Sequence, residues 1–298
     1  MLIEITNEKS EEIFNDILFD FTFAKTAQTK PLGIILGGQP GSGKSFLVKE
    51  VEDEFQKDLI FISTDDLRLY HPAYAALQQN PETLQNATNL VNPYASAWTE
   101  KLIKYCIENK YNIIIDSTMG GNIQAVYDTI DLLQGNQYDF HLRLMAVPAL
   151  VSKLSIFLRY ESQLKEKGFA RWTRMEDHDD RFEKIPKVLE QILLNKPPKT
   201  IRFYERILAT KGTISLKPSQ VFVLPAQNSS FLDNFQTSRN QLFENDTGFM
   251  INSIQFIAES IKSRNGDLEE FKSVILHKIQ NKSNKIKTII TKVIINIS

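Results

Sequence analysis

The sequence contains Gly38-Gln39-Pro40-Gly41-Ser42-Gly43-Lys44-Ser45, which fits the phosphate-binding pattern G-x-x-x-x-G-K-[ST]. Gly41 and Gly43 permit backbone angles that residues with a Cβ resist, so consecutive amides can point inward and cradle phosphate oxygens. The motif follows an apolar run and precedes a helical pattern, which is the strand–loop–helix context of a nucleotide-binding loop. All eight residues are therefore predicted to bind ATP, with Lys44 on the β- and γ-phosphates and Ser45 on Mg²⁺.

Short apolar runs alternate with helical patterns on both sides of this loop. Strands are predicted at 32–36, 59–62, 112–116, 142–147 and 221–224, and helices at 45–55, 93–108, 123–133, 152–165 and 185–194. Strands that alternate with helices form a parallel sheet that is covered on both faces. The sequence therefore predicts an α/β fold of the P-loop NTPase class, similar to nucleotide kinases, with a helical C-terminal extension.

The two ends of the chain lie outside this alternation. Apolar residues recur at helical spacing over 10–23, which predicts an amphipathic helix with Ser10 as its N-cap. Polar residues over 225–240 predict a linker, and a helical repeat starts near Met250. After Lys272 there is lysine but no acidic residue, which predicts a solvated helix or a loosely packed appendage. We expect three parts: an N-terminal helix (1–30), a P-loop domain (31–225) and the C-terminal extension (240–298).

The composition is typical of a soluble globular protein, with 298 residues, 42% of them hydrophobic and 24% charged. Neither a signal peptide nor an apolar run long enough for a bilayer is evident, so we expect a cytoplasmic protein without membrane contact. The formal net charge of −1 offers a nucleic-acid polymer no overall attraction, and we expect no such partner. Cys106 is the single cysteine, which excludes an intrachain disulfide.

Carboxylates follow two of the predicted strands. Because ligands of open α/β sheets lie beyond the carboxyl ends of strands, Asp65 and Asp116 are expected to face the terminal phosphate. Transfer to an alcohol needs a group that orients the hydroxyl and accepts its proton, and Asp65 is predicted to be this base. Asp66 is predicted to cap the next helix. Asp116 is predicted to bind Mg²⁺ and Thr118 the acceptor, with turn capping as the alternative for both.

Arginines cluster after the fourth predicted strand. Arg159 and Arg171 are predicted to bind the transferred phosphoryl group, because the planar guanidinium matches the charge spread over its oxygens. Arg174 and Arg181 are secondary candidates in the same segment. Surface ion pairing with nearby acidic residues is the alternative role for all four.

These residues together resemble the zeta toxin family, the toxins of bacterial epsilon–zeta toxin–antitoxin systems. The resemblance covers about 31–194 and starts with the phosphate loop. Further matches follow in chain order: Asp65 six residues before His71-Pro72, Asn92-Pro93-Tyr94 before Trp98-Thr99-Glu100, YNIIIDST at 111–118, Met145-Ala-Val-Pro148, and Arg159-Tyr160-Glu161 with Arg171 seven residues before His178-Asp179. The chain departs from the family at Gly120, where members often carry an arginine.

The resemblance implies an ATP-dependent kinase that phosphorylates the 3′-hydroxyl of the amino sugar in UDP-N-acetylglucosamine, a small nucleotide sugar. It also implies an antitoxin protein as a partner. The implied roles are Asp65 as the base, Lys44 and Ser45 on nucleotide and Mg²⁺, Glu100 and Thr118 on the substrate together with Asp116 in the same pocket, and Arg159 and Arg171 on the transferred group.

Other functions fit parts of the sequence. Asp65-Asp66-x-Arg68 after a P-loop also resembles polynucleotide 5′-hydroxyl kinases, and some relatives of the zeta toxins phosphorylate other nucleotides such as NAD. The non-enzymatic alternative is an ATP-binding interaction module that uses the C-terminal region as its partner surface. Such a module needs no base, so replacement of Asp65 separates it from a kinase.

Overall fold

The computed structural model describes residues 4–55, 58–117, 119–121, 123–170, 172–208, 214–223, 228–242, 244–279 and 284–296. The strands are β1 (Leu32–Gly37), β2 (Ile60–Ile62), β3 (Ile113–Asp116), β4 (Asp139–Met145), β5 (Thr200–Leu208), β6 (Ile214–Pro218) and β7 (Phe222–Val223). The helices are α1 (Asn7–Thr22), α2 (Lys44–Glu54), α3 (Thr64–Leu67), α4 (Tyr74–Gln79), α5 (Ala87–Glu108), α6 (Ile123–Gly135), α7 (Ala149–Lys167), α8 (Met175–Asn195), α9 (Asn228–Asn240), α10 (Glu244–Ser263), α11 (Leu268–Ile279) and α12 (Asn284–Asn296), with a 3₁₀ turn at Arg68–Tyr70.

The strands form one seven-stranded sheet in the order β2-β3-β1-β4-β5-β6, with β7 paired to β5. Strands β1 to β5 run parallel, whereas β6 and β7 are antiparallel to β5. All six residues of β1 are buried, as expected for a central strand covered on both faces. The predicted α/β fold with a largely parallel sheet is confirmed. The sequence prediction missed β5 and β6. The strand predicted at 221–224 corresponds to β7, which starts one residue later at Phe222, while Leu224 lies outside the described residues.

Apolar side chains pack on both faces of the sheet. One layer includes Ile17 of α1, Trp98 of α5 and Leu189 of α8. The other includes Leu47 and Val51 of α2. Burial of these stripes is the main favourable term that holds the helices to the sheet. No helix in the described part of the chain is long and apolar enough to span a membrane.

The N-terminal helix starts earlier than its apolar pattern indicates. Thr6 is the N-cap of α1, and its side chain accepts a hydrogen bond from the Lys9 amide at 3.2 Å. The prediction of Ser10 as the N-cap is therefore wrong. Ser10 lies inside α1, where its Oγ accepts from Trp98 Nε1 at 2.9 Å and ties α1 to α5. Helix α5 also starts earlier than predicted, with Pro93 inside it.

Two segments with polar sequences are helical. The segment 166–181 is polar and charged in sequence, and α8 starts within it at Met175, where acidic side chains in the first turn suit the helix dipole. The polar composition of 225–240 predicts a linker, but α9 occupies 228–240. Phe231 and Phe235, four residues apart on α9, are fully buried and contact Phe203 of β5. These two aromatic anchors outweigh the polar residues between them.

The C-terminal helices form a packed layer. Helix α10 packs along α7, and α11 and α12 complete an apolar cluster with both. Phe271, Ile275 and Ile290 are at most 1% exposed. The prediction of a solvated or loosely packed tail after Lys272 is therefore wrong. Apolar residues at helical spacing, among them Phe271, Ile275 and Ile290, bury a stripe along these helices, while Lys287 and Lys292 are exposed.

Candidate functional site

The loop between β1 and α2 has the backbone conformation that phosphate binding requires. Gly41 and Gly43 have φ of +74° and +98°, in the left-handed region that favours glycine. A Cβ at Gly41 would overlap the carbonyl oxygen of Ser152 on α7 and lie 2.9 Å from a side-chain carbon of Ile156. Lys44 Nζ donates to the Gly38 carbonyl at 3.0 Å, so its ammonium group folds back over the loop. The loop is thus held against α7 in a shape that only glycine fits at Gly41.

A buried hydrogen-bond network holds the phosphate loop in place. Gln39, which is fully buried, donates to the Val147 carbonyl at 2.8 Å and to Ser152 Oγ at 3.2 Å. Ser152 Oγ lies 2.8 Å from His178 Nε2, and His178 Nδ1 lies 3.0 Å from Asp179 Oδ1. Ser152 and His178 are fully buried, so this serine cannot meet a substrate. This network joins the phosphate loop to His178 of α8.

Asp116 ends β3 beside the loop. Its Oδ1 lies 3.9 Å from Lys44 Nζ and makes no hydrogen bond within the described residues. Burial raises the pKa of the Asp116 carboxyl, the charge of Lys44 lowers it, and the charge of Asp65 raises it. Burial also raises the pKa of Asp66, with further contributions from Asp65 and Asp116. The three carboxylates therefore share one electrostatic environment next to the lysine.

Asp65 lies on α3 at the carboxyl end of β2. Its side chain is 67% exposed and pairs with Arg68, whose side chain is 9% exposed. Asn92 Oδ1 accepts from Arg68 Nε at 3.2 Å and from Nη2 at 2.7 Å, which fixes the guanidinium. Ser63 is the N-cap of α3, and its side chain accepts from the Asp65 amide. The prediction that Asp66 caps this helix is therefore wrong, since the hydroxyl one residue beyond β2 takes that position.

The other predicted site residues differ in their placement. Arg159 lines the cavity and donates to Thr173 Oγ1 at 2.8 Å. Arg181 also lines the cavity and donates to the Gly120 carbonyl, while Arg174 is exposed and pairs with Asp177. Glu100 is exposed on α5 and is not among the cavity-lining residues. Thr118 and Arg171 lie outside the described residues.

A cavity of about 1040 Å³ brings the phosphate loop together with acidic and basic side chains. Its walls include the phosphate loop from Gln39 to Ser45, the acidic residues Asp65, Asp66 and Asp116, and the basic residues Arg68, Arg159, Arg181 and Arg206. Phe46 of α2 and Phe249 of α10 also line it. The sequence prediction missed Arg206 and Phe249. Recognition of β5 would have placed Arg206 at the carboxyl edge of the sheet, but no local pattern points to Phe249.

The strand order β2-β3-β1-β4-β5, with a phosphate loop directly after β1, defines a P-loop protein similar to nucleotide kinases. The arrangement suits phosphoryl transfer, because a lysine and the amides of a glycine-rich loop can bind phosphates and a nearby carboxylate can accept the proton of an alcohol.

Comparison with known proteins identifies the family. The sequence model of the family described as Zeta toxin matches residues 15–215. Toxin zeta of Streptococcus pyogenes is 30% identical over 224 residues, which cover 74% of this chain and 77% of that protein. This chain therefore belongs to the zeta toxin family, the kinase-like toxins of toxin–antitoxin systems.

Solved structures share the fold. A structure from the PezAT chromosomal toxin–antitoxin system of Streptococcus pneumoniae has a TM-score of 0.69 at 21% identity, covering 88% of this chain and 98% of that one. A structure of AvrRxo1-ORF1:-ORF2 with ATP has a TM-score of 0.51 at 10% identity, covering 85% and 81% of the two chains.

Proposed function

We propose that this protein is an ATP- and Mg²⁺-dependent kinase that phosphorylates a hydroxyl of a small nucleotide-linked substrate, with the 3′-hydroxyl of UDP-N-acetylglucosamine as its preferred acceptor. The observation that carries the proposal is the shared cavity of the phosphate loop, Lys44 and three carboxylates, with Lys44 Nζ 3.9 Å from Asp116. A module that only binds ATP needs no general base, so carboxylates in addition to a Mg²⁺ ligand favour an enzyme.

The residues present fit a nucleoside triphosphate with Mg²⁺. The loop amides and Lys44 would hold the phosphates, and Ser42 Oγ and Asp116 Oδ1 are buried oxygens without hydrogen-bond partners in the described part of the chain. Ser45 and Asp116 offer the hydroxyl and carboxylate oxygens that Mg²⁺ prefers, and Mg²⁺ is commonly held by one or two protein ligands and substrate phosphates. Mg²⁺ would neutralise charge on the phosphates.

Asp65 is proposed as the base that accepts the proton of the acceptor hydroxyl. Its pairing with Arg68, itself fixed by Asn92, holds the carboxylate at the cavity wall. Arg159 lines the same cavity and is proposed to bind the transferred group. The roles of Arg171, Thr118 and Glu100 remain proposals that rest on the family resemblance.

The size of the cavity supports two ligands at once. Small-molecule pockets commonly measure roughly 300–1000 Å³, and this cavity of about 1040 Å³ lies just above that range. Asp65 on α3, just after β2, and Asp116 at the end of β3 lie on the β2–β3 side of the loop, so the acceptor is proposed to bind there. Gly121, Ala125 and Val126, which follow β3 in the chain, also line the cavity and offer small apolar surface to a sugar.

An antitoxin is the proposed protein partner. The support is membership of a family of toxin–antitoxin toxins and the similarity to a structure from the PezAT system. Co-expression with the product of a neighbouring gene, followed by copurification, tests this proposal; a chain that never copurifies with such a product would contradict it.

The acceptor is tested by incubating the purified protein with ATP, Mg²⁺ and a panel of UDP-N-acetylglucosamine, NAD and an RNA with a free 5′-hydroxyl. Mass spectrometry then identifies which compound gains a phosphoryl group. We expect UDP-N-acetylglucosamine to be modified. Modification of NAD or RNA alone would reassign the acceptor, and modification of none would refute the proposed acceptor class.

The catalytic roles are tested by substitution. Asp65→Asn should lower kcat by roughly 10²- to 10⁴-fold, the usual range for a general base, and leave ATP binding intact. Lys44→Ala should abolish transfer because it removes the charge that reaches the terminal phosphates. Asp66→Asn is the matched control, one residue away and in the same cavity, and should retain most activity. A greater loss in Asp66→Asn than in Asp65→Asn would identify Asp66 as the base.

A further inference from the structure

A second group of cavity-lining side chains lies on the β5 side of the phosphate loop. There, Arg206 of β5, Phe46 of α2 and Phe249 of α10 lie close together. Arg206 Cδ and a ring carbon of Phe46 are 3.4 Å and 3.6 Å from the point where Gly43 would carry a Cβ. The guanidinium carbon of Arg206 is 5.5 Å from the ring centre of Phe249. A cation and two aromatic rings thus surround the last turn of the phosphate loop.

Arg206 is built into this end of the cavity. Its side chain is buried, and Nη1 donates to the Gly41 carbonyl at 3.2 Å and to Ser155 Oγ at 2.8 Å. Burial lowers the pKa of Arg206 to about 10, and the charge of Asp246 raises it, so the group stays charged at neutral pH. These two hydrogen bonds hold the guanidinium beside the loop.

The order of the strands tells which part of a nucleotide would lie here. Asp116 ends β3, and Arg206 lies near the end of β5, with β1 and β4 between them. Neighbouring strands lie about 4.8 Å apart, which separates the two side chains by roughly 14 Å across the sheet. Lys44 Nζ lies 3.9 Å from Asp116 Oδ1 and marks the terminal-phosphate end. The nucleoside end of a bound triphosphate then lies on the β5 side.

We propose that Arg206, Phe249 and Phe46 form the subsite for the nucleobase of the phosphoryl donor. Bases stack on guanidinium planes and aromatic rings, and this end of the cavity presents both. Phe46 is 43% exposed and Phe249 is half-buried, so ring surface is available. This inference rests on the proposed ATP-dependent activity and deepens it.

The subsite gives the C-terminal layer a part in the donor site. Phe249 lies beyond residues 15–215, the part that the family model matches. Its neighbour Met250 and the next turns of α10, including Ile254, are fully buried against the layer that contains α7. Packing of α10 on α7 therefore determines where the Phe249 ring lies relative to the loop.

The test compares two ligands of the full chain by titration calorimetry in Mg²⁺: ATP, and inorganic tripolyphosphate, which lacks the base. Phe249→Ala should weaken ATP binding roughly 5- to 100-fold, the range for loss of one base–aromatic stack, and leave tripolyphosphate binding within about twofold. Phe256→Ala, on the same helix and outside the cavity lining, is the control and should affect neither ligand. Phe249→Leu preserves apolar bulk and should also weaken ATP selectively.

The two ligands distinguish a base subsite from a purely structural role of Phe249. Equal weakening of both ligands by Phe249→Leu would show a role in loop position only and overturn the proposal, as would unchanged ATP binding. If the wild-type protein binds tripolyphosphate and ATP equally well, the subsite is likewise refuted while the phosphate loop stands. If it binds neither, the proposed kinase function falls too.

A spectroscopic variant provides a second readout. Phe249→Trp adds an indole to the two native tryptophans, and its fluorescence should change with ATP but not with tripolyphosphate. The wild-type protein measured in parallel gives the background from Trp98 and Trp172. A signal that responds equally to both ligands would contradict contact with the base.

Discussion

Gly41→Ala should be more damaging than an ordinary glycine substitution, and the chain contains a matched comparison. Gly41 and Gly168 have nearly the same φ, +74° and +76°, so an alanine at either site meets the same left-handed backbone penalty. That penalty is roughly 1–2 kcal/mol. Around Gly168, however, a Cβ would meet nothing within 4 Å. Gly168→Ala therefore isolates the backbone term.

At Gly41 a steric term is added. The new Cβ would overlap the carbonyl oxygen of Ser152 and lie 3.0 Å from the carbonyl carbon of the same residue. Ser152 cannot easily move, because it lies within α7. Overpacking of this kind typically costs about 1–3 kcal/mol. Gly41→Ala should therefore lower the free energy of unfolding by about 2–5 kcal/mol, against about 1–2 kcal/mol for Gly168→Ala.

The assay is urea denaturation of both variants, with ATP affinity measured on the folded fraction. Gly41→Ala should also lose most ATP affinity, because relief of the overlap must move the loop or α7, while Gly168→Ala should bind ATP as the wild type does. Equal destabilisation of the two variants, or full ATP affinity in Gly41→Ala, would refute the packing of the loop against α7.

Three further predictions concern pH, the C-terminal layer and the acceptor. Burial, aided by the charge of Arg143, lowers the pKa of His141 from 6.5 to about 4, although Asp139 opposes the shift. The stability from neutral His141 is therefore complete above pH 6.5 and lost as the pH falls towards 4; His141→Gln should flatten that part of the unfolding profile, and an unchanged profile would contradict the assignment. Phe271→Ala, at a side chain 1% exposed, should cost about 3–5 kcal/mol in urea denaturation, whereas Phe19→Ala, at a side chain 68% exposed, should cost less than about 0.5 kcal/mol; similar losses would contradict the packed layer. Glu100→Ala should raise KM for the acceptor more than KM for ATP in steady-state assays, and equal effects would remove Glu100 from the acceptor site.

The parts of the fold that sequence reasoning found have strong local signals. The loop from Gly38 to Ser45 carries its own pattern of glycines, and apolar runs identify β1, β3 and β4 around it. Because parallel strands end at one edge, the position of Asp65 and Asp116 after β2 and β3 was enough to place both carboxylates in the cavity.

The parts that it missed have signals that only the tertiary structure supplies. Strand β5 carries Arg202, Glu205 and Arg206 among its apolar residues, so its sequence contains no continuous apolar run that would predict a strand. Helix α9 was missed because most of its residues are polar. Its two apolar contacts, Phe231 and Phe235, pack on Phe203 of β5, a strand that the sequence did not predict. Phe249 lines the cavity from a helix about 200 residues after the loop, and no short-range sequence pattern predicts that it lies near the phosphate loop.

Helix α7 packs against the phosphate loop on one side and against the C-terminal helices on the other, and this determines which fragment of the chain is suitable for purification. Gly41 abuts Ser152 on one side, while Leu154 and Phe157, at most 5% exposed, pack into the C-terminal cluster. A fragment that stops at residue 215, where the family match stops, would leave those side chains open to solvent and prone to self-association. Crystallisation trials and inhibitor screens should therefore use a chain that retains α10 to α12.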